Sequence, residues 1–203
     1  RQQVSILDVD DETKSIMLDP NRIDDWLEAH PVEGVARHFY SCTHTTFSPN
    51  VAESDRRMKT NVIPDQIDIN VDIRTLPGES TAEVQAHLDS ALGDLADQVQ
   101  VEIIMNDPAS VSQMDNPMWD TIQKAVNQPF PGARLSPQFV VGFTDARVYR
   151  NLGSVAYGAG LFSPDLKSSD FMSRFHGHNE RIDVESLSLT TQFWLDVCRD
   201  FLE

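Results

Sequence analysis

The chain has 203 residues, 40 % of them hydrophobic, enough for one large core or two small ones. Its 32 acidic side chains outnumber 16 basic ones, giving a formal charge of −16 that repels phosphate backbones and anionic lipid and argues against nucleic-acid and membrane partners. No run approaches the roughly 20 apolar residues of a membrane helix, and the chain reads as a soluble, cytoplasmic protein.

In chain order, residues 1 to 18 are acidic with scattered apolar positions and read as helix or irregular structure. Asn21 stands as an N-cap before a short amphipathic helix through Ile23, Trp26 and Leu27, and Gly34 separates it from a helical turn over Val35 to Tyr40. Thr43 to Pro49 looks extended. From Gln66 to Arg74, Ile67, Ile69, Val71 and Ile73 alternate with polar residues, which predicts a strand with one buried and one wet face. Pro77-Gly78 ends it, and Ser80 with Glu83 forms a capping box for a helix from Thr81 to about Leu95. Val84, Leu88, Ala91, Leu92 and Leu95 would make its apolar stripe. A strand over Val99 to Met105 completes what reads as a two-layer α+β domain, and Asp107 to Asn116 reads as a linker. Beyond it the spacing predicts a helix (Pro117 to Val126), an apolar strand (Gln138 to Gly142), a helix (Thr144 to Asn151) and a short strand (Ser154 to Tyr157), as in a parallel α/β layer. The last element is a helix from Val184 to Phe201 with a stripe of Leu187, Thr190, Trp194, Val197 and Phe201.

Composition adds smaller clues. The basic residues are 12 Arg and four Lys, and Asp outnumbers Glu by 22 to 10, which fits either adaptation to high salt or an ordinary acidic protein from an Arg-preferring proteome. Cys42 and Cys198 lie in apolar company and read as two buried free thiols. The chain opens at Arg1 inside a polar segment and reads as a piece of a longer one.

Three constellations could carry chemistry. His176-Gly177-His178-Asn179-Glu180 gathers two imidazoles and a carboxylate, either a metal site or solvated bystanders. Gly142-Phe143-Thr144-Asp145-Ala146-Arg147 lies where a strand gives way to a helix, which suits an anion, although Thr144 could simply cap the helix. Arg74 on the wet strand face could grip a carboxylate or pair with a neighbouring Asp, and Asn61 could equally be a turn residue before Pro64. His30, His38, His44 and His87 have no partner at metal-ligand spacing and read as structural.

Taken in order, Lys59-Thr60-Asn61-Val62-Ile63-Pro64, Asp72-Ile73-Arg74-Thr75-Leu76-Pro77-Gly78, Gly142 to Arg147, and His176 with Asn179-Glu180-Arg181 resemble the M20 metallopeptidases and deacylases, relatives of acetylornithine deacetylase, succinyl-diaminopimelate desuccinylase and carboxypeptidase G2. The resemblance runs from about Thr43 to the C-terminus. It implies an α+β lid (dimerisation) domain, a two-layer antiparallel sheet with helices, followed by the C-terminal α/β part of a zinc-exopeptidase-like catalytic domain. On that template residues 1–108 are the later part of the lid and 116–203 the end of the catalytic domain.

By the same resemblance His176 is a terminal ligand to one of two zinc ions, with cobalt or manganese as possible substitutes, and His178 is a bystander. Asn61 and Arg74 would reach the substrate from the lid, while Gly142, Thr144 and Arg147 line the cleft; Phe143 stands where many relatives carry a second Gly. The family's His-x-Asp, bridging Asp and Glu-Glu motifs are not recognisable here, so the general base and most metal ligands are expected upstream. The implied activity is hydrolysis of an N-acyl amino acid or short peptide by metal-activated water, on a small carboxylate-bearing amide, in a homodimer joined through the lid. The alternative is a non-catalytic dimerisation or binding module, since one His cannot hold a binuclear site.

Overall fold

A computed structural model describes residues 2–5, 7–54, 59–167, 170–171, 173–175 and 178–203. The chain divides into two compact units, Arg1–Val111 with Gln138–Thr144, and Ser112–Pro137 with Asp145–Glu203.

In the first unit, helices α1 (Gln2–Ser5), α2 (Asp11–Met17), α3 (Ile23–Ala29) and α4 (Glu33–Thr43) follow one another closely. Asp10 caps α2, its carboxylate accepting the Thr13 N–H at 2.7 Å. Val4, Met17, Ile23 and Leu27 are the buried apolar residues of these helices, and the Trp26 ring meets the edges of His30 and Phe39. Two sequence expectations shift here. Arg22, not Asn21, occupies the N-cap of α3, because Asn21 turns back to the Asp19 carboxylate through both its backbone N–H and its amide. Gly34 lies inside α4 and separates nothing, a position that a single glycine within a helix tolerates at modest cost.

Strand β1 (Thr46–Glu53) pairs antiparallel with β2 (Asp68–Arg74), from Thr46 opposite Arg74 to Glu53 opposite Asp68. The register slips by one residue between Pro49 and Val51, next to the residue with no N–H to give the ladder. The alternation predicts this strand correctly, but its apolar face is not buried: Ile69 is 58 % exposed and Val71 40 %. A capping box between Ser80 and Glu83 opens α5 (Thr81–Leu92), as the sequence predicts, and a 3₁₀ turn over Gly93–Gln98 ends it short of Leu95. None of the α5 stripe is fully buried.

In the second unit α6 (Pro117–Asn127) begins with Pro117 behind the Asn116 cap, and α7 (Ala146–Asn151) and α8 (Val184–Leu202) follow. The core is Ile122, Ala125 and Val126 of α6 against Phe193 and Val197 of α8, flanked by Met118, Leu135, Tyr157 and Leu161. The buried face of α8 is therefore set by Ser186, Phe193 and Val197, while Leu187, Trp194 and Phe201 of the expected stripe remain substantially exposed. Across the same seam Asp200 accepts hydrogen bonds from Thr121 and Lys124, which lower its pKa, Lys124 most.

Among the described residues the only paired strands are β1 and β2. The expected strands at Val99–Met105, Gln138–Gly142 and Ser154–Tyr157 run as irregular chain, and among the described residues they build no parallel α/β layer. Strands lock only when partners supply the second half of each ladder. Cys42 and Cys198 are free as expected but not buried: Cys42 is half-buried, with burial raising its thiol pKa, and Cys198 is exposed.

The seam between α6 and α8 yields a contrast. Phe193→Ala should cost about 3–5 kcal/mol in a denaturant titration, whereas Leu187→Ala, at an exposed position of the same helix, should stay within about 0.5 kcal/mol.

Candidate functional site

Period-two geometry places Asp72 and Arg74 on one face of β2, opposite Ser48 and Thr46 of β1. Arg74 Nε donates to Asp72 Oδ1 at 2.6 Å and Nη2 to Oδ2 at 2.8 Å, a bidentate pair, with both side chains about 40 % exposed. The guanidinium carbon lies 5.8 Å from the centre of the Phe143 ring, within cation–π range. Immediately downstream the chain is fastened. The Thr45 hydroxyl donates to the Glu79 carboxylate and accepts the Leu76 N–H at 3.2 Å, and Glu79 also faces His87 at 3.4 Å. Arg74 is thus held on a strand end whose exit is fixed, and of the two readings left open for it, pairing with a neighbouring Asp is what the folded chain shows.

Asn61 is exposed in a turn closed by the Val62 N–H on the Lys59 carbonyl at 3.0 Å. Gly142 and Thr144 are exposed in the segment that brings Phe143 to Arg74. A Cβ at Gly142 would meet only Val140 Cγ1, at 3.6 Å, so no protein neighbour requires glycine there. Thr144 does not cap α7: the helix starts at Ala146 and Asp145 is its N-cap residue, without a side-chain cap bond. Arg147, in the first turn of α7, pairs with Asp145 at 3.5 Å. His176 lies outside the described residues. His178, Asn179 and Glu180 beside it are exposed, and Asn179 takes a left-handed backbone (φ 62°), which Asn tolerates better than most residues.

The sequence reading missed what secures the two ends of this last loop. Asp183 caps α8, accepting the Ser186 N–H at 2.7 Å, the Ser186 hydroxyl at 2.8 Å and Arg174 Nη1 at 2.7 Å. Ser186, fully buried, accepts the Ser163 N–H at 2.9 Å, and Thr190 exchanges two hydrogen bonds with the backbone of Leu161. The Asp183-x-x-Ser186 spacing is the signal that could have revealed it. The Ser186 N–H and hydroxyl, with Arg174 adding to them, bring the Asp183 carboxyl down from 3.8 to about 2.

Among the described residues no group of three or more His, Cys, Asp or Glu is placed to hold a metal. His44 is tied to Asp24 at 3.0 Å, His87 to Glu79, and His38 lies 3.8 Å from Cys42. The described residues therefore do not make a metal centre by themselves. No helix among them is long and apolar enough to cross a membrane.

The chain belongs to a known class of proteins: the profile of peptidase family M20/M25/M40 matches residues 10–200. The chain is similar to a "Probable carboxypeptidase S-like 2" of Dictyostelium discoideum, 27 % identical over 144 residues. It is also similar to an "N-fatty-acyl-amino acid synthase/hydrolase PM20D1" of Xenopus tropicalis, 30 % identical over 145 residues, and to the protein of that name from Homo sapiens, 27 % identical over 147. Each alignment covers 70 % of this chain but only 27 or 28 % of the relative, so the matched part is about a quarter of the relatives' length. No solved structure matches the chain.

The Asp183 network has a pH signature. A carboxyl whose folded pKa is depressed to about 2 contributes stability that is complete above its ordinary 3.8 and is lost as the pH falls toward 2. Urea melts between pH 6 and pH 2 should show Asp183→Asn least stable relative to the parent above pH 4, with the difference closing at the acid end.

Proposed function

We propose that this chain is the C-terminal portion of a zinc-dependent amidohydrolase that cleaves N-acyl amino acids or short peptide amides. The family match over residues 10–200 carries this reading, and relatives named N-fatty-acyl-amino acid synthase/hydrolase support the substrate class. In it residues 1–108 are the later part of a dimerising lid and 116–203 the end of the catalytic domain. His176 would supply one imidazole to a zinc centre, which when bound would lower the pKa of a water; the remaining ligands and the general base would come from other parts of the protein. Arg74 holds the substrate carboxylate by a two-point contact that only a planar fork provides. Asn61 orients the substrate beside it, and Gly142, Thr144 and Arg147 line the cleft.

The test uses the intact protein. Metal analysis should find zinc at stoichiometric levels, reduced in His176→Ala, and a panel of N-acyl amino acids should be hydrolysed. Unchanged zinc in the variant would overturn the ligand assignment. An intact protein that neither binds metal nor cleaves any of the panel would instead be a dimerisation or binding module, and sedimentation analysis would then show whether it self-associates.

A further inference from the structure

The contact between Arg74 and Asp72 looks at first like an obstacle to the role given to Arg74, since one carboxylate already occupies the guanidinium. The atoms involved say otherwise. A guanidinium has two edges able to take a carboxylate in two-point fashion, one through Nε and a terminal nitrogen, the other through both terminal nitrogens. Asp72 takes the first, at 2.6 and 2.8 Å, and all the side-chain hydrogen bonds of Arg74 among the described residues go to it. The fork that includes Nη1 is left over, on a side chain 43 % exposed.

From this geometry we infer that Asp72 and Phe143 are positioning residues for carboxylate recognition, holding Arg74 so that its outer fork is presented ready-made to the substrate carboxylate. Asp72 fixes the guanidinium plane through two hydrogen bonds from the same strand face, two residues away. Phe143 stands 5.8 Å from the guanidinium carbon and limits its swing. A free arginine surrenders much rotamer freedom on binding; one already held has less to lose, and the saving appears as affinity. Asp72 also cancels the charge of Arg74 locally. Non-directional attraction for anions is thereby weakened, while the directional two-point contact is kept, so the pair favours a planar carboxylate over an amide or a spherical anion.

This inference rests on Arg74 as the carboxylate holder, and the experiment separates the two. Steady-state kinetics on the intact, metal-loaded protein would compare one N-acyl amino acid with its carboxamide, which differs only in lacking the charge. Arg74→Ala should abolish the preference for the acid. Asp72→Ala should raise KM for the acid about tenfold with kcat little changed and leave KM for the carboxamide where it was, and Phe143→Leu should do the same more weakly. Asp72→Glu, which can restore the pair, should recover part of the loss. If Arg74→Ala abolishes the preference but Asp72→Ala does not, the positioning role is wrong while the Arg74 reading stands. A lower KM in Asp72→Ala would show that Asp72 competes with the substrate, which also overturns the inference. If no substitution alters the preference, Arg74 does not hold the carboxylate and both readings fall. Thermal melts of each variant distinguish a lost contact from a lost fold.

Discussion

One carboxylate organises the second unit. Asp183 accepts hydrogen bonds from the Ser186 N–H, the Ser186 hydroxyl and Arg174, and these three bonds decide where α8 begins. Ser186 in turn holds Ser163, so the chain at 161–163 is strapped to the head of the same helix. With both ends of the stretch from 164 to 183 fastened, the side chains of α8 are phased toward α6, and Phe193 and Val197 meet Ile122 and Val126. A polar cap thus sets the register of an apolar seam. The cost of burying Ser186 is offset because its hydroxyl both donates and accepts.

The first unit depends on a comparable economy of polar bonds. Its apolar burial is confined to a few helical residues, and the ribbon of β1 and β2 carries exposed isoleucine and valine on one face. What fixes the end of β2 is the cluster of Thr45, Glu79 and Leu76 together with the capping box at Ser80 and Glu83. Arg74 lies at that end, two residues before Leu76. Its orientation is therefore inherited from hydrogen bonds that have nothing to do with a ligand.

Local signals in the sequence were legible where the physics is local. The Ser80–Glu83 box, the Pro117 start behind Asn116 and the alternation of β2 all involve residues within a few positions of one another, and each element forms, although α5 stops at Leu92, β2 starts at Asp68 and its apolar face is exposed. The stretches at 99–105, 138–142 and 154–157 show the opposite. Their composition suits strands, but a strand is a relation between segments, and no described segment completes their ladders. Of the expected α8 stripe Val197 is buried, but Leu187 and Trp194 have the hydrophobicity of core residues and stay exposed, whereas the buried Ser186 is legible only through its partners. Motif order identified the family, which the match over residues 10–200 establishes. The contact of Phe143 with Arg74 could not be read at all, since nearly 70 residues separate them in the chain.

Pro49 and the slip in register beside it have a further meaning for a ribbon of this kind. Two strands have two open edges, and apolar side chains such as Ile69 and Val71 would make those edges templates for stacking chain upon chain. A residue with no N–H, a twist where the register shifts, and the exposed carboxylate of Asp68 at the ribbon's end all oppose such stacking. The acidity of the chain, which says little about its substrate, works here against such stacking.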